Sequence, residues 1–305
     1  MMYIQALDFV VAEARKYGMK LIMTLGNNWS DYGGKHQYVE WAKAAGAKVT
    51  SEDDFYTHPM IIFYYKNYIK TVLTRMNSIT KIAYKDDPTI MAWELMNDLR
   101  YSLDRNVSLG IDFNVWISDL ASHVKAFDDK HLLGLGMEGF YGESTPERVV
   151  DYNPKSLYYG SDFIWNYKTE TDFTSAHAFP DLWLEGESDE AKRTFMKDWL
   201  SIHCSDSEKN LKRPLILGAF GKSSKVPGYT EEVRDSYMNE VYLDIYNYAK
   251  SEGTIGGGLV WQIMGEGMES YYDGFQIVLS KNPSTANVIH NQSIRMNALR
   301  QPLVN

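Results

Sequence analysis

One pattern restricts the fold of this chain more than any other: short apolar runs follow helical segments again and again. Ile4, Leu7, Val10, Val11, Ala14 and Tyr17 recur at helical spacing, Gly18 stands where a C-cap belongs, and residues 20–25 form a short apolar run. The unit then repeats. A helix over 58–77, with Pro59 in its first turn, precedes a strand over 89–95. A helix near 113–127 precedes a strand over 131–137. After an irregular stretch, 172–177 reads as a strand. A helix near 188–203 precedes a strand over 214–219. A long helix over 230–250 leads through Gly253 to a strand over 255–261. The strand interiors are nearly continuous apolar runs, as parallel strands covered on both faces require. Such alternation means a doubly wound sheet or a barrel. The 305 residues are long enough for two domains, but α/β barrels run to this length as one. No linker or low-complexity segment divides the chain, so 1–305 is read as a single domain.

Charge and composition exclude several classes of function. A net charge of −9 repels phosphate backbones, so nucleic acid is not an expected partner. No apolar run reaches the length of a membrane-spanning helix, so no membrane partner is expected either. The single cysteine, Cys204, permits no internal disulfide and no four-cysteine zinc site, and it reads as a small buried hydrophobe. Three glycosylation sequons begin at Asn28, Asn106 and Asn291. The start, Met1-Met2-Tyr3-Ile4-Gln5, runs straight into the first amphipathic segment without a signal-peptide pattern. Two motif checks are negative. The run 218–223 resembles a phosphate loop but has Ile216 where the first glycine belongs, and Gly256-Gly257-Gly258 opens no helix.

In a parallel α/β barrel, chemistry sits where the strands end. The first strand ends at Asn27-Asn28-Trp29, the second at Asn97-Asp98, the third at Glu138, the fourth at His177 and the last at Trp261. The fifth ends without a polar side chain. These residues are expected to converge at one rim. Amides, carboxylates, an imidazole and indoles suit a carbohydrate, because a sugar offers hydroxyls to polar groups and a C–H face to aromatic rings. The chain has 22 Tyr and 8 Trp, enough to line such a cleft.

Several segments strongly resemble plant endo-β-1,4-mannanases of glycoside hydrolase family 5. Residues 84–97 resemble the family's acid/base strand. Glu138-Gly139-Phe140-Tyr141-Gly142 matches the end of its fifth strand, and residues 177–183 resemble the sixth. Phe220-Gly221-Lys222-Ser223-Ser224 matches the segment after the nucleophile, and Leu259-Val260-Trp261-Gln262 resembles the eighth strand. The similarity extends to residues 282–287. It implies a (β/α)8 barrel, retaining hydrolysis of mannan, glucomannan or galactomannan by two glutamates about 5 Å apart, and no metal or cofactor. By the same resemblance Asn97, His177, Phe179, Trp183, Trp261, Glu138 and Asn27 are candidate substrate-binding residues. Family members are secreted to the cell wall, which conflicts with the start of this chain.

The departures from the family fall on the chemistry. Its Asn-Glu-Pro motif reads Asn97-Asp98-Leu99, so the acid/base position holds a side chain one methylene shorter. The nucleophile position holds Ala219, within Gly218-Ala219-Phe220-Gly221. Phe179 stands where the family has a tyrosine that hydrogen-bonds the nucleophile. Glu94, Glu138 and Glu266 lie on other strands or loops and are poorly placed to substitute. The six identifiable strands match the third to eighth of the family, so the expectation is a TIM barrel lacking its first two strands, with open edges that favour self-association. The expected function is a mannan endo-1,4-β-mannosidase-like protein without activity, including a decayed gene product with no selected role. The alternatives are a non-catalytic mannan- or glucomannan-binding protein and a weakly active mannanase.

Overall fold

The computed structural model describes residues 2–102, 113–251 and 253–299, and the sequon at Asn106 lies outside them. Among the described residues the strands are β1 Leu21–Thr24, β2 Ile90–Glu94, β3 Leu132–Gly134, β4 Thr174–Ala178, β5 Leu215–Phe220 and β6 Ile255–Val260. The helices are α1 Met2–Lys16, α2 Lys35–Ala44, α3 Pro59–Leu73, α4 Phe113–Phe127, α5 Pro146–Tyr152, α6 Phe163–Asn166, α7 Pro180–Trp183, α8 Asp189–Asp206, α9 Glu231–Lys250 and α10 Pro283–Ala298. The strands form two sheets, in the orders β1-β2-β3 and β4-β5-β6. β1 and β2, β2 and β3, and β5 and β6 pair in parallel. The fold is α/β with parallel sheets, as the strand–helix alternation predicts.

By internal contacts the chain divides into two units. Unit 1 comprises residues 1–144 and 158–174, and unit 2 comprises 145–157 and 175–305. In unit 1, Ile61, Tyr65, Ile69 and Leu73 form one buried stripe of α3, and Trp116, Ile117, Leu120 and Val124 form that of α4. Between them the rings of Tyr38, Phe55 and Tyr65 meet edge-on or tilted at 5.1–5.6 Å between centroids, and Trp116 stacks on Tyr65 at 6.1 Å. This aromatic floor also receives the chain after β2, where the Tyr65 hydroxyl donates to the Leu95 carbonyl. In unit 2, Met238, Val241, Tyr242 and Ile245 of α9 are buried with Leu215, Leu217 and Phe220 of β5. Helix starts follow their local chemistry. Ser188 caps α8 by accepting from Ala191 N–H at 3.1 Å, and Thr230 caps α9 by accepting from Val233 N–H at 3.2 Å.

The structure departs from the sequence reading in several places. The third strand stops at Gly134 rather than 137, because Gly136 has φ +80 and breaks the extended run. The fourth begins at Thr174 rather than 172. The Asp172 carboxylate is taken instead by Lys125 Nζ at 2.7 Å and Leu133 N–H at 2.8 Å. Helices α2, α5, α6, α7 and α10 have no counterpart in the sequence reading. Not every strand is covered on both faces: β4 is buried throughout, whereas β1 is only half-buried and Leu259 of β6 is 48% exposed. Gly256, Gly257 and Gly258 lie inside β6. Cys204 is buried as expected, and burial pushes its thiol up to about 12, which keeps it protonated and unreactive. Of the described sequons, Asn28 is only 8% exposed and Asn291 sits within α10.

Candidate active site

In unit 1 the C-terminal ends of β1 and β2 continue side by side. Asn27 and Asn97 form a parallel bridge, with Asn97 N–H donating to Gly26 O at 2.9 Å and Asn28 N–H to Asn97 O at 3.0 Å. This brings the two amides together, and Asn97 Nδ2 donates to Asn27 Oδ1 at 3.2 Å. The same Asn27 oxygen accepts from Trp29 N–H at 3.3 Å, which starts a tight loop into α2. Gly34 closes that loop. A Cβ there would stand 1.7 Å from the Trp29 carbonyl oxygen, so only glycine permits the approach.

Asp98 has φ +53, an uncommon left-handed geometry for a residue with a side chain. Its Oδ2 accepts from the Trp29 indole N–H at 2.6 Å. One face of the Trp29 ring carries the Arg100 guanidinium at 5.0 Å, and the ring remains 45% exposed. Arg100 also reaches Glu138 Oε2 at 3.3 Å and lies 5.8 Å from the Phe140 ring. Asn27, Asn97 and Asp98 thus share one cluster with Trp29, and Arg100 links Trp29 to Glu138. Glu94, on β2, accepts from Thr24 Oγ1 at 3.3 Å.

In unit 2 the buried His177 is the penultimate residue of β4, and its carbonyl accepts from Trp199 Nε1 at 2.9 Å. A Cβ at Gly218 would lie 3.0 Å from the His177 ring, so β5 runs directly against the imidazole. Ala219 follows, with 6% of its surface exposed. Phe179 meets Trp183 at 6.2 Å and Phe275 at 5.5 Å between ring centroids, both edge-to-face. Trp183 in turn packs on Trp199 at 5.4 Å. The half-exposed Trp261 directly follows β6, and its Nε1 donates to Asp273 Oδ2 at 2.8 Å. Glu266 accepts from the Ser280 hydroxyl. Beyond Ala219, Lys222 is held at 3.1 Å from Asp181 Oδ1 and 2.5 Å from Asp189 Oδ1, while Ser223 N–H donates to Asp181 Oδ2 at 2.9 Å.

Arg100 and Asp273 are not among the candidate residues, and Trp29 is named only among the strand ends. Trp29 was visible as a strand-end aromatic, and the Asp273-Gly274 pair is a turn signal. Nothing in the local sequence around Arg100 announces its two partners. No group of three or more His, Cys, Asp or Glu side chains suited to a metal ion occurs among the described residues. Chemically, unit 1 offers amides, a carboxylate and a half-covered indole, and unit 2 an imidazole and aromatic rings around an alanine. Both are suited to hydroxyl and C–H contacts with sugars.

Comparison with known proteins agrees with this chemistry. A family model described as glycoside hydrolase family 5 β-mannosidase-like matches residues 1–276. The chain is 52% identical over 296 residues to mannan endo-1,4-β-mannosidase 5 of Solanum lycopersicum, covering 97% of this chain and 70% of that protein. It is 46% identical over 296 residues to mannan endo-1,4-β-mannosidase 1 of Oryza sativa subsp. japonica, covering 97% and 68%. The solved endo-β-1,4-mannanase of Thermotoga petrophila superposes with a TM-score of 0.81 at 28% identity; the match takes in 99% of this chain but 63% of that one. The endo-1,4-β-mannanase of Rhizomucor miehei superposes with a TM-score of 0.75 at 30% identity, covering 96% and 76%.

Proposed function

Because the chain belongs to the β-mannosidase-like group of glycoside hydrolase family 5, we propose that it is a mannan endo-1,4-β-mannosidase-like protein that no longer hydrolyses its polysaccharide. Ala219 carries this reading. Retaining hydrolysis needs a carboxylate to attack the anomeric carbon, opposite a second that protonates the leaving oxygen. A methyl group forms no glycosyl ester and stabilises no oxocarbenium ion. Loss of a nucleophile in an unrelated hydrolase costs roughly a million-fold in turnover.

The acid/base position is weakened as well. Asp98 falls short of a glutamate by roughly 1.5 Å of reach, and misplacement of that size costs about a hundredfold. Its carboxylate is also engaged by the Trp29 indole. The other carboxylates considered as replacements are committed: Glu94 to Thr24, Glu138 to Arg100 and Glu266 to Ser280. Phe179, lacking a hydroxyl, packs on Phe275 and Trp183 instead of serving a nucleophile. We assign the six strands to positions three to eight of a (β/α)8 barrel.

The test is incubation of the purified chain with glucomannan or galactomannan and measurement of new reducing ends. No release above buffer is expected, and clear turnover refutes the reading. A second function, holding mannan without cleaving it, is favoured by the 37% exposure of Trp261, whose ring is fixed and presented to solvent. In the same unit, His177 and Trp183 are further polar and aromatic candidates for contact with a sugar chain. Titration calorimetry with mannohexaose tests this. Heat of binding without product supports it, and no heat removes it.

A further inference from the structure

Resting on the reading that the chain holds mannan, the geometry points to Asp273 as the positioning residue that fixes Trp261 as a sugar platform. An indole stacks well on the C–H face of a pyranose only if its plane is set beforehand, because immobilising a mobile side chain costs affinity. Trp261 is 37% exposed and lies where β6 ends, so packing alone does not hold its ring. Asp273 supplies the missing restraint. Its Oδ2 accepts from Trp261 Nε1 at 2.8 Å and from Gln262 Nε2 at 2.9 Å, while its Oδ1 accepts from Phe275 N–H at 2.8 Å. One carboxylate therefore ties the ring, the neighbouring amide and the backbone of the returning segment together.

Main-chain bonds anchor that knot to the sheet. Trp261 N–H donates to Phe220 O at 2.8 Å, Gln262 N–H to Phe275 O at 3.2 Å, and Ile277 N–H to Gln262 O at 2.8 Å. Gly221 allows the close fit, since a Cβ there would lie 2.5 Å from the Trp261 carbonyl oxygen and 2.9 Å from the Phe275 ring. The indole plane is thereby referred to the end of β5, where Ala219 stands. The indole N–H is spent on Asp273, so Trp261 meets a sugar with its ring face.

The test has two readouts. In 15N-labelled protein, the Trp261 indole N–H cross-peak is the one absent from Trp261→Phe. Asp273→Ala is expected to shift it and speed its exchange with solvent. Asp273→Asn, which keeps a carbonyl oxygen but loses the charge and one acceptor, is expected to shift it less. In calorimetry with mannohexaose, Asp273→Ala is expected to weaken binding at least about tenfold, with partial recovery in Asp273→Asn. Trp261→Phe combined with Asp273→Ala is expected to bind no more weakly than Trp261→Phe alone. An unmoved cross-peak in Asp273→Ala, or additive losses in the double variant, overturns the positioning role. Absence of heat from the unaltered chain overturns mannan binding itself, while the cross-peak separately decides whether Asp273 holds the indole.

Discussion

Two titratable residues outside the candidate site make stability depend on pH in opposite directions. Burial raises the Asp8 carboxyl, but hydrogen bonds from Arg75, Ser78 and Tyr84 outweigh it and hold the group far below the usual carboxylate range. A depressed native value stabilises the fold above the unfolded value of about 3.9, and this contribution is lost as pH falls through the native one. Asp8→Ala is expected to cost about 3 kcal/mol at neutral pH, since it strands Arg75. Urea midpoints at neutral and acidic pH check this, and the difference between variant and parent should shrink in acid. His131 behaves inversely. The Asp128 carboxylate at 2.6 Å raises its value, and Nε2 donates to the Asp87 carbonyl at 3.1 Å. Its stabilisation is complete below the unfolded value of about 6.5 and is lost as pH rises through the raised native value. His131→Ala is expected to flatten the decline in stability on the alkaline side, as read from thermal midpoints across a pH series.

At the scale of elements, the loop from β1 into α2 is the most constrained feature of unit 1. Gly34→Ala places a methyl against the Trp29 and Asn27 carbonyl oxygens. A loss of about 2 kcal/mol is expected, together with displacement of the Trp29 indole from Asp98. Urea denaturation measures the first and the Trp29 indole resonance the second; an unchanged midpoint contradicts the account. Strands and long helices were legible because their apolar periods are set by burial of one face. Helix α2 was not. Its N-cap is Gly34, which gives no side-chain cap, and it buries only Lys35, Tyr38, Val39 and Ala42. Strand limits were misread by two or three residues where a tertiary contact intervened, as when Lys125 and Leu133 claim Asp172.

For the whole molecule, the restoring substitutions offer the sharpest test. Asp98→Glu with Ala219→Glu is expected to release no reducing ends from glucomannan, because the Trp29 indole still claims the carboxylate at position 98 and Phe179 offers no hydroxyl to a restored nucleophile. Activity from the double variant would show that neither contact limits catalysis.

Sequence by itself determined the order of the six described strands, the family, and the absence of a carboxylate at position 219. Each of these follows from residue identity and short-range periodicity. Only the tertiary structure decided which distant side chains meet. It places the Trp29 indole on a carboxylate 69 residues away, Arg100 between an indole and Glu138, and Asp273 on Trp261. Hydrogen bonds and ion pairs need a geometry that separation along the chain does not encode. That geometry exists only once packed elements hold both partners in place.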